Sequence, residues 1–356
     1  MSATVPHTSK FGAVDCTNAW GGDAEALGAS DLFRVLRPGF IPNPGRTYEE
    51  NTEIISDVGQ PEDDLSKVEP SFDFQSYMRY SGAVNRFAAV FFGTDTVSDV
   101  DEGTLNVGKK HLLTLHNTTI GKYLTVGAKW DAGIIEVPQC KVADLGVSWA
   151  NGQKPVMSPS IFARRILEPG ETQINGATEF GNLTLVTTGG LVLDSHVSVR
   201  WNAQGGDALD SGDVQGVTDL EISLSRNLTG EDPDSESTPY RLEPVCGDGG
   251  YSANVSVTMS DWEDFVEWQA HRDGTLYKLE VIWTGTTLLS GAATTFFSYT
   301  FGFPQVQIIE PGIEPDNRVR QALNFKATTA SSTPTGMDDN APYAAIVNEE
   351  TAAYVA

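Results

Sequence analysis

The stretch Leu276-Tyr277-Lys278-Leu279-Glu280-Val281-Ile282-Trp283-Thr284-Gly285, followed by Gln307-Ile308-Ile309-Glu310-Pro311, decides how the chain is read. It carries aliphatic and aromatic residues in a strand-like run closed by glycine, then a second apolar run closed by proline. An earlier stretch repeats that order. Arg86-Phe87-Ala88-Ala89-Val90-Phe91-Phe92-Gly93 reads as the matching strand, and Gly133-Ile134-Ile135-Glu136-Val137-Pro138 follows it.

Working outward, a short helix is predicted before each run. In the second half it starts at Ser260, where Glu263 three residues on completes a Ser-x-x-Glu capping box. Trp262, Phe265, Val266 and Gln269 then form one stripe that predicts core packing, and Asp273-Gly274 ends the helix. In the first half the helix is predicted over Gln75 to Tyr80, flanked by Ser81-Gly82. Before these helices stand Asn254-Val255-Ser256-Val257 and Val68-Glu69-Pro70-Ser71-Phe72. Further upstream lie Thr218 to Ile222 in one half, and Asp31 to Phe33 with Glu53 to Ser56 in the other. Even the strand after each Ile-Ile-Glu is paralleled, Lys141 to Val147 by Arg318 to Phe325.

This shared order predicts a tandem duplication of one α+β unit. The halves meet within Glu168 to Thr178, and an insertion after Gly93 carries the acidic Asp95 to Gly103. The expected division is an arm at 1–29, a first domain at 30–170, a second at 171–350 and a tail at 351–356. Alternation elsewhere, at Leu112 to Leu115, Tyr123 to Val126, Leu183 to Val186, His196 to Arg200, Leu220 to Leu224, Val255 to Met259 and Phe297 to Phe303, predicts half-buried antiparallel strands. The 35 glycines and 18 prolines punctuate them.

The 356 residues exceed what one core usually serves. No basic start with an apolar run follows Met1, and no stretch is long and apolar enough for a membrane span, so a soluble protein made in the cytoplasm is expected. Cys16, Cys140 and Cys246 fit neither a disulfide framework nor a zinc site. Asn117, Asn182, Asn227 and Asn254 match the glycosylation pattern by chance on this reading. The net charge of −25 excludes a phosphate-gripping surface of the usual basic kind. It is compatible with surrounding DNA without adhering to it, and with adaptation to concentrated salt.

No catalytic, cofactor-binding or metal-binding residue is assigned. Asp261, Glu263, Asp264 and Glu267 on the second helix read as its solvated face. His111 and His116 fall on opposite faces of one strand, and His7, His196 and His271 are scattered. Asp99, Asp101 and Gly103 resemble part of a calcium loop that lacks its downstream glutamate. The chain is expected to be no enzyme.

The ordered set of elements resembles a tail tube (major tail) protein family of long-tailed viruses, in a duplicated form. The resemblance rests on Ala19-Trp20-Gly21-Gly22 near the start and Asp31 to Ser56 as strand, loop and strand. It continues through Gln139-Cys140-Lys141-Val142-Ala143-Asp144-Leu145, Val217 to Asn227, and Ala253 to Gly285. Pro342-Tyr343-Ala344-Ala345-Ile346-Val347-Asn348 closes the set, with Tyr354 soon after. It implies a mostly β fold of two tandem β-sandwich units, each with one helix, whose inner sheets join into a ring barrel. It implies a virion tail location, a ring of three chains (or six), and stacking of rings. The implied partners are tail tip and tail completion proteins, and double-stranded DNA passing through the lumen unbound. The alternative is another virion protein, such as a capsid decoration, fibre or receptor-binding protein; a secreted glycan-binding or hydrolytic β-sandwich is the third class. The long polar loops Pro38 to Glu50 and Thr229 to Gly250 are expected to contact other subunits instead of their own core, and the lumen to be acidic.

Overall fold

The computed structural model describes residues 9–37, 39–40, 42–49, 64–100, 107–118, 120–230, 240–247, 250–261, 265–292, 294–315 and 319–355. Its framework is antiparallel β. The chain begins with β1 (Lys10–Cys16), β2 (Leu32–Phe33), the paired β3 (Arg46–Glu49) and β4 (Asp64–Val68), β5 (Ser71–Asp73) and β6 (Ser76–Tyr77). Helix α1 (Asn85–Phe92), β7 (Gly93–Asp99), β8 (Lys109–Leu115), β9 (Tyr123–Trp130), β10 (Gly133–Ala150) and β11 (Val156–Ala163) follow. After α2 (Ala177–Asn182) come β12 (Val197–Ala203), β13 (Val214–Gln215), β14 (Val217–Ser225), the small pair β15 (Leu228–Thr229) and β16 (Val245–Cys246), and β17 (Ser252–Met259). Helix α3 (Val266–Asp273), β18 (Leu276–Leu288), β19 (Phe296–Pro315), β20 (Val319–Thr328) and β21 (Tyr343–Asn348) complete it.

Two long strands organise the rest. The first part of β10 pairs with β9, and its second part pairs with β11 on one edge and β14 on the other. The first part of β19 pairs with β18 and β21, and its second part with β20. A run of neighbours therefore reads β5/β6, β11, β10, β14, β17, β20, β19. A second run reads β13, β12, β18, β19, β21, β8, β7. Among the described residues the pairing is branched and open: following it never returns to a strand already passed, so the sheet does not close on itself within one chain.

The breaks in β10 and β19 have the same cause. Register shifts between Val137 and Cys140 against β9, and the strand skips Pro138 and Gln139. It shifts likewise in β19 between Phe303 and Val306 against β18, skipping Pro304 and Gln305. Proline has no N–H for a ladder, so each break falls where a ladder bond could not form. A second shift isolates Ala143 opposite β11 and Ile309 opposite β20. One constant offset along the sequence brings both pairs of breaks into coincidence. These bulges mark where each strand exchanges one partner for the next.

The core is apolar and continuous through these elements, and Trp201 of β12 lies 5.5 Å from Phe325 of β20. Parts of the sheet far apart along the pairing path thus share one core. Around α1, Phe33, Phe74 and Phe87 form an aromatic group with ring centroids 4.8–5.2 Å apart.

Several expectations are corrected. Arg86 to Phe92 is helix, not strand. All but Arg86 of the eight residues of α1 are buried, so no polar face reveals the helical period, and a short apolar run does not distinguish helix from strand. Gly93, at φ 85°, ends it, its N–H donating to Ala89 O. Gln75 to Tyr80 is not helical: it holds β6, and Met78 N–H donates to Pro155 O. Leu183 to Val186 is not a strand. The helix after β17 begins at Val266, later than the capping box; Ser260 N–H donates to Gly216 O instead. Trp262 to Asp264 and Glu53 to Ser56 lie outside the described residues. The stripe is not core either: Phe265 and Val266 are exposed and only Ala270 is buried. The stop at Asp273-Gly274 agrees, with Gly274 at φ 66°. Finally, Lys141 to Val147 continues β10, whereas Val319 to Phe325 belongs to a separate returning strand.

Candidate functional site

The surface of interest is one face of the run β11, β10, β14, β17, β20, β19. Along these strands, alternate side chains enter the core. Leu145, Val147, Leu220, Ile222, Leu224, Val255, Val257, Leu323 and Phe325 are all buried. The intervening residues turn outward, as the period of two dictates. On β10 they are Asp144, Gly146, Ser148 and Ala150, and on β14 Asp219, Glu221, Ser223 and Ser225. On β17 they are Asn254, Ser256 and Thr258, and on β20 Arg320, Ala322, Asn324, Lys326 and Thr328.

This face is small and polar. Directly opposed pairs include Gly146 with Ser223, Ser148 with Glu221, Ser223 with Asn254, and Ser256 with Asn324. Asp144, Asp219, Glu221 and Glu310 supply its negative charge, against Arg320 and Lys326. There is no aromatic platform on these four strands on which a base or sugar could stack. Such a face offers little grip to a phosphate backbone.

The edges of the same run differ. The second part of β10 is covered by β14, from Asp144 opposite Ser225 to Ala150 opposite Asp219. The corresponding edge of β19, Glu310 to Pro315, has no strand beside it among the described residues. Ile313 there is 43% exposed and Val319 across the hairpin 50%. At the other end of the run, the segment before β3 lies against β5: Leu36 N–H donates to Gln75 O, and Asn43 exchanges two backbone hydrogen bonds with Ser71.

The loop 229–250 is placed otherwise than expected. Its described return limb packs on the first half of its own chain. Trp20 Nε1 donates to Arg241 O at 3.1 Å, Arg241 pairs with Glu69, and the Arg164 guanidinium lies over Tyr240. The buried Lys141 ammonium meets Glu243 at 2.6 Å and donates to Pro244 O at 2.8 Å. Burial lowers the Lys141 pKa, and Glu243 opposes that shift. The Trp-Gly pair near the start therefore helps to seat this limb, a contact between distant segments that local pattern could not reveal. The described part of the loop 38–50 includes β3, paired with β4.

A second cross-chain contact sits at the end of α1. Arg226, buried just after β14, donates to Phe91 O, Phe92 O and His116 O at 2.6–2.9 Å. It satisfies carbonyls that a helix end leaves without partners.

The other candidate residues are not brought together. His111 is buried and engages Asp95, whereas exposed His116 engages Thr118 O. His196 accepts or donates at Tyr80 Oη, and His271 donates to Ile308 O. Asp99 pairs with Lys109; Asp101 and Gly103 lie outside the described residues. Among the described residues no three His, Cys, Asp or Glu side chains cluster as metal ligands. The three cysteines are free thiols, and burial raises the pKa of both Cys16 and Cys140. No helix among the described residues is long and apolar enough to cross a membrane. No family model matches the chain, and no curated protein matches it.

Proposed function

We propose that the chain is a structural subunit of a viral tail tube, a duplicated β unit that polymerises into stacked rings around a DNA channel. The observation that carries this reading is the unequal treatment of two equivalent edges. The edge of β10 at Asp144 to Ala150 receives β14 from the second half. The same edge of β19, past the same proline break and the same bulge, receives no strand among the described residues. A second copy would supply what the chain supplies to itself at β10. Repeating that step gives a closed ring, which removes the exposed sheet edges.

The matching breaks at Pro138 and Pro304 and the matching order of β9, β10, β11 and β18, β19, β20 support a tandem duplication. The contact of Trp201 with Phe325 supports sandwich-like units. Three copies would then present six units. The small, polar, net-acidic face of β10, β14, β17 and β20 would line the lumen, and phosphate repulsion would act within about 10 Å at 0.1 M salt. Location in the virion tail, stacking of rings and contact with tail-end proteins belong to the same proposal.

Negative-stain microscopy of the purified protein tests it. Long hollow filaments are expected. Discrete particles that never elongate would overturn the tube reading in favour of a decoration or fibre protein.

A further inference from the structure

Beyond assembly, the segment after β21 has a chemical peculiarity. Residues 349–355 cross from the second half to the first and are held at four points. Glu349 Oε1 accepts from Ser290 N–H at 2.6 Å, in the turn between β18 and β19. Glu350 Oε1 accepts from Gly82 N–H at 2.7 Å, just before α1. Tyr354 Oη meets the amides of Asn85 and Asn348 at 3.3 and 2.7 Å. The fourth point is His111 on β8, which is fully buried together with Asp95 on β7.

The imidazole lies between two acceptors. Its Nε2 is 2.8 Å from the Glu350 carbonyl oxygen, which can only accept, so Nε2 carries a proton. Its Nδ1 is 3.0 Å from Asp95 Oδ2, and Tyr354 N–H donates to that same oxygen at 2.7 Å. A neutral imidazole already protonated at Nε2 would set a bare Nδ1 lone pair against a carboxylate. The contact therefore needs one more proton, on Nδ1 or on Asp95. The Tyr354 ring packs against the imidazole at a tilt of 37° with centroids 4.5 Å apart, and the His111 and Asp95 side chains are both fully buried.

We infer that one proton shared between His111 and Asp95 fastens the 349–355 segment onto α1 and β8, and that its loss releases the segment. The groups facing His111 are Asp95 from β7, and the Glu350 carbonyl and carboxylate with Tyr354 from the segment itself. β21 presents the apolar Ile346 opposite it. Burial lowers the pKa of His111, but the Asp95 contact and the Glu350 groups outweigh burial and hold it above its ordinary value of 6.5. A group whose pKa is raised on folding adds stability below its unfolded pKa and loses it as pH rises through the folded one. The segment is accordingly held most tightly below pH 6.5 and loosened as pH rises through the folded His111 pKa. Release bares the seat of Tyr354 beside Asn85 at the start of α1.

Hydrogen exchange of the Tyr354 amide in the full chain tests this, because that amide donates directly to Asp95. After correction for intrinsic exchange, its protection is expected to fall, by at most about tenfold per pH unit, as pH rises from 6.5 through the folded His111 pKa, and to level off above it. In Asp95→Asn one atom can no longer serve both contacts: an amide nitrogen there donates to a neutral Nδ1 and leaves Tyr354 N–H without its acceptor, so protection should be weak and should no longer fall with pH. Protection that is constant with pH in the unaltered protein overturns the inference, as does an unchanged slope in Asp95→Asn. Nitrogen-15 spectra of the unaltered protein supply a reading that needs no variant. An Nδ1 without a proton beside an ionised Asp95 at pH 6 would also overturn it.

Discussion

Pro138 and Pro304 hold the same position in two different strands. Each lies with a following glutamine in a two-residue break, at which a long strand leaves the partner before it and takes up the partner after it. Beyond each break one residue bulges, Ala143 in β10 and Ile309 in β19. The two strands then part company, because one continues beside β14 and the other has no strand on that edge among the described residues. The proposed assembly follows from that difference, and the first prediction addresses it.

Ile313→Lys places a charge at the edge of β19 that has no neighbouring strand among the described residues, where the side chain is already 43% exposed. The monomer should fold with a stability change within about 0.5 kcal/mol, since no buried contact is removed. Filament formation should be abolished, because a charge on a strand edge opposes pairing with a second chain. Circular dichroism and negative-stain microscopy check the two halves of this statement. Normal filaments would show that the edge is not used.

Arg226→Met should destabilise the chain by about 3 kcal/mol. The variant keeps the aliphatic stem but leaves the carbonyls of Phe91, Phe92 and His116 without their charged donor. Urea denaturation measures the change. A loss under about 1 kcal/mol would mean that water replaces the guanidinium freely.

Glu280→Gln should raise stability at neutral pH. Burial, the largest cause, lifts the Glu280 pKa above 4.5, against the Tyr343 hydrogen bond and the charges of Arg200 and Lys110. A carboxyl whose pKa is raised on folding favours the fold below its unfolded pKa and loses that contribution as pH rises through the folded value. Glutamine does not titrate, and its oxygen can still accept from Tyr343 Oη. The variant should melt higher than the parent at pH 7, and the difference should shrink as pH falls through the folded Glu280 pKa to 4.5 and stay constant below it. Thermal melts across that range decide it.

Asp219→Lys with Glu221→Lys reverses charge on the outward face of β14 while leaving Leu220 and Ile222 in the core. Filaments of the parent chain should retain no double-stranded DNA. Filaments of the double variant should retain it at low salt and lose it steeply as salt rises, the signature of phosphate contact. Equal retention by both would remove the face from any role at the channel wall.

The alternating strands were the legible part of the fold, since β8, β14, β17 and the start of β19 each keep one face in water and so retain a period of two. Helix α1 was not legible, because burial on every side erased its polar stripe. The proposed repeat was anchored in the sequence on residues whose strand positions do not match. Ile134-Ile135-Glu136 and Ile308-Ile309-Glu310 do not occupy equivalent places in their strands; Val137-Pro138-Gln139 and Phe303-Pro304-Gln305 do. A strand proline marks a backbone break regardless of the side chains around it, which makes it the sounder landmark. The partners of His111, Lys141 and Arg226 escaped the sequence reading because they stand across long separations in the chain.

The placement of β21 bears on the order in which the protein can take shape. Residues 343–348 lie between β19 and β8, so among the described residues the pair of β7 and β8 joins the rest of its sheet only through a strand made long after it. At ordinary rates of ribosomal elongation that interval is on the order of tens of seconds. During it, the pair waits beside an unfilled gap. A nascent chain is thereby prevented from completing that sheet early, and under the proposed assembly immature copies would be kept from joining a growing polymer until β21 is made.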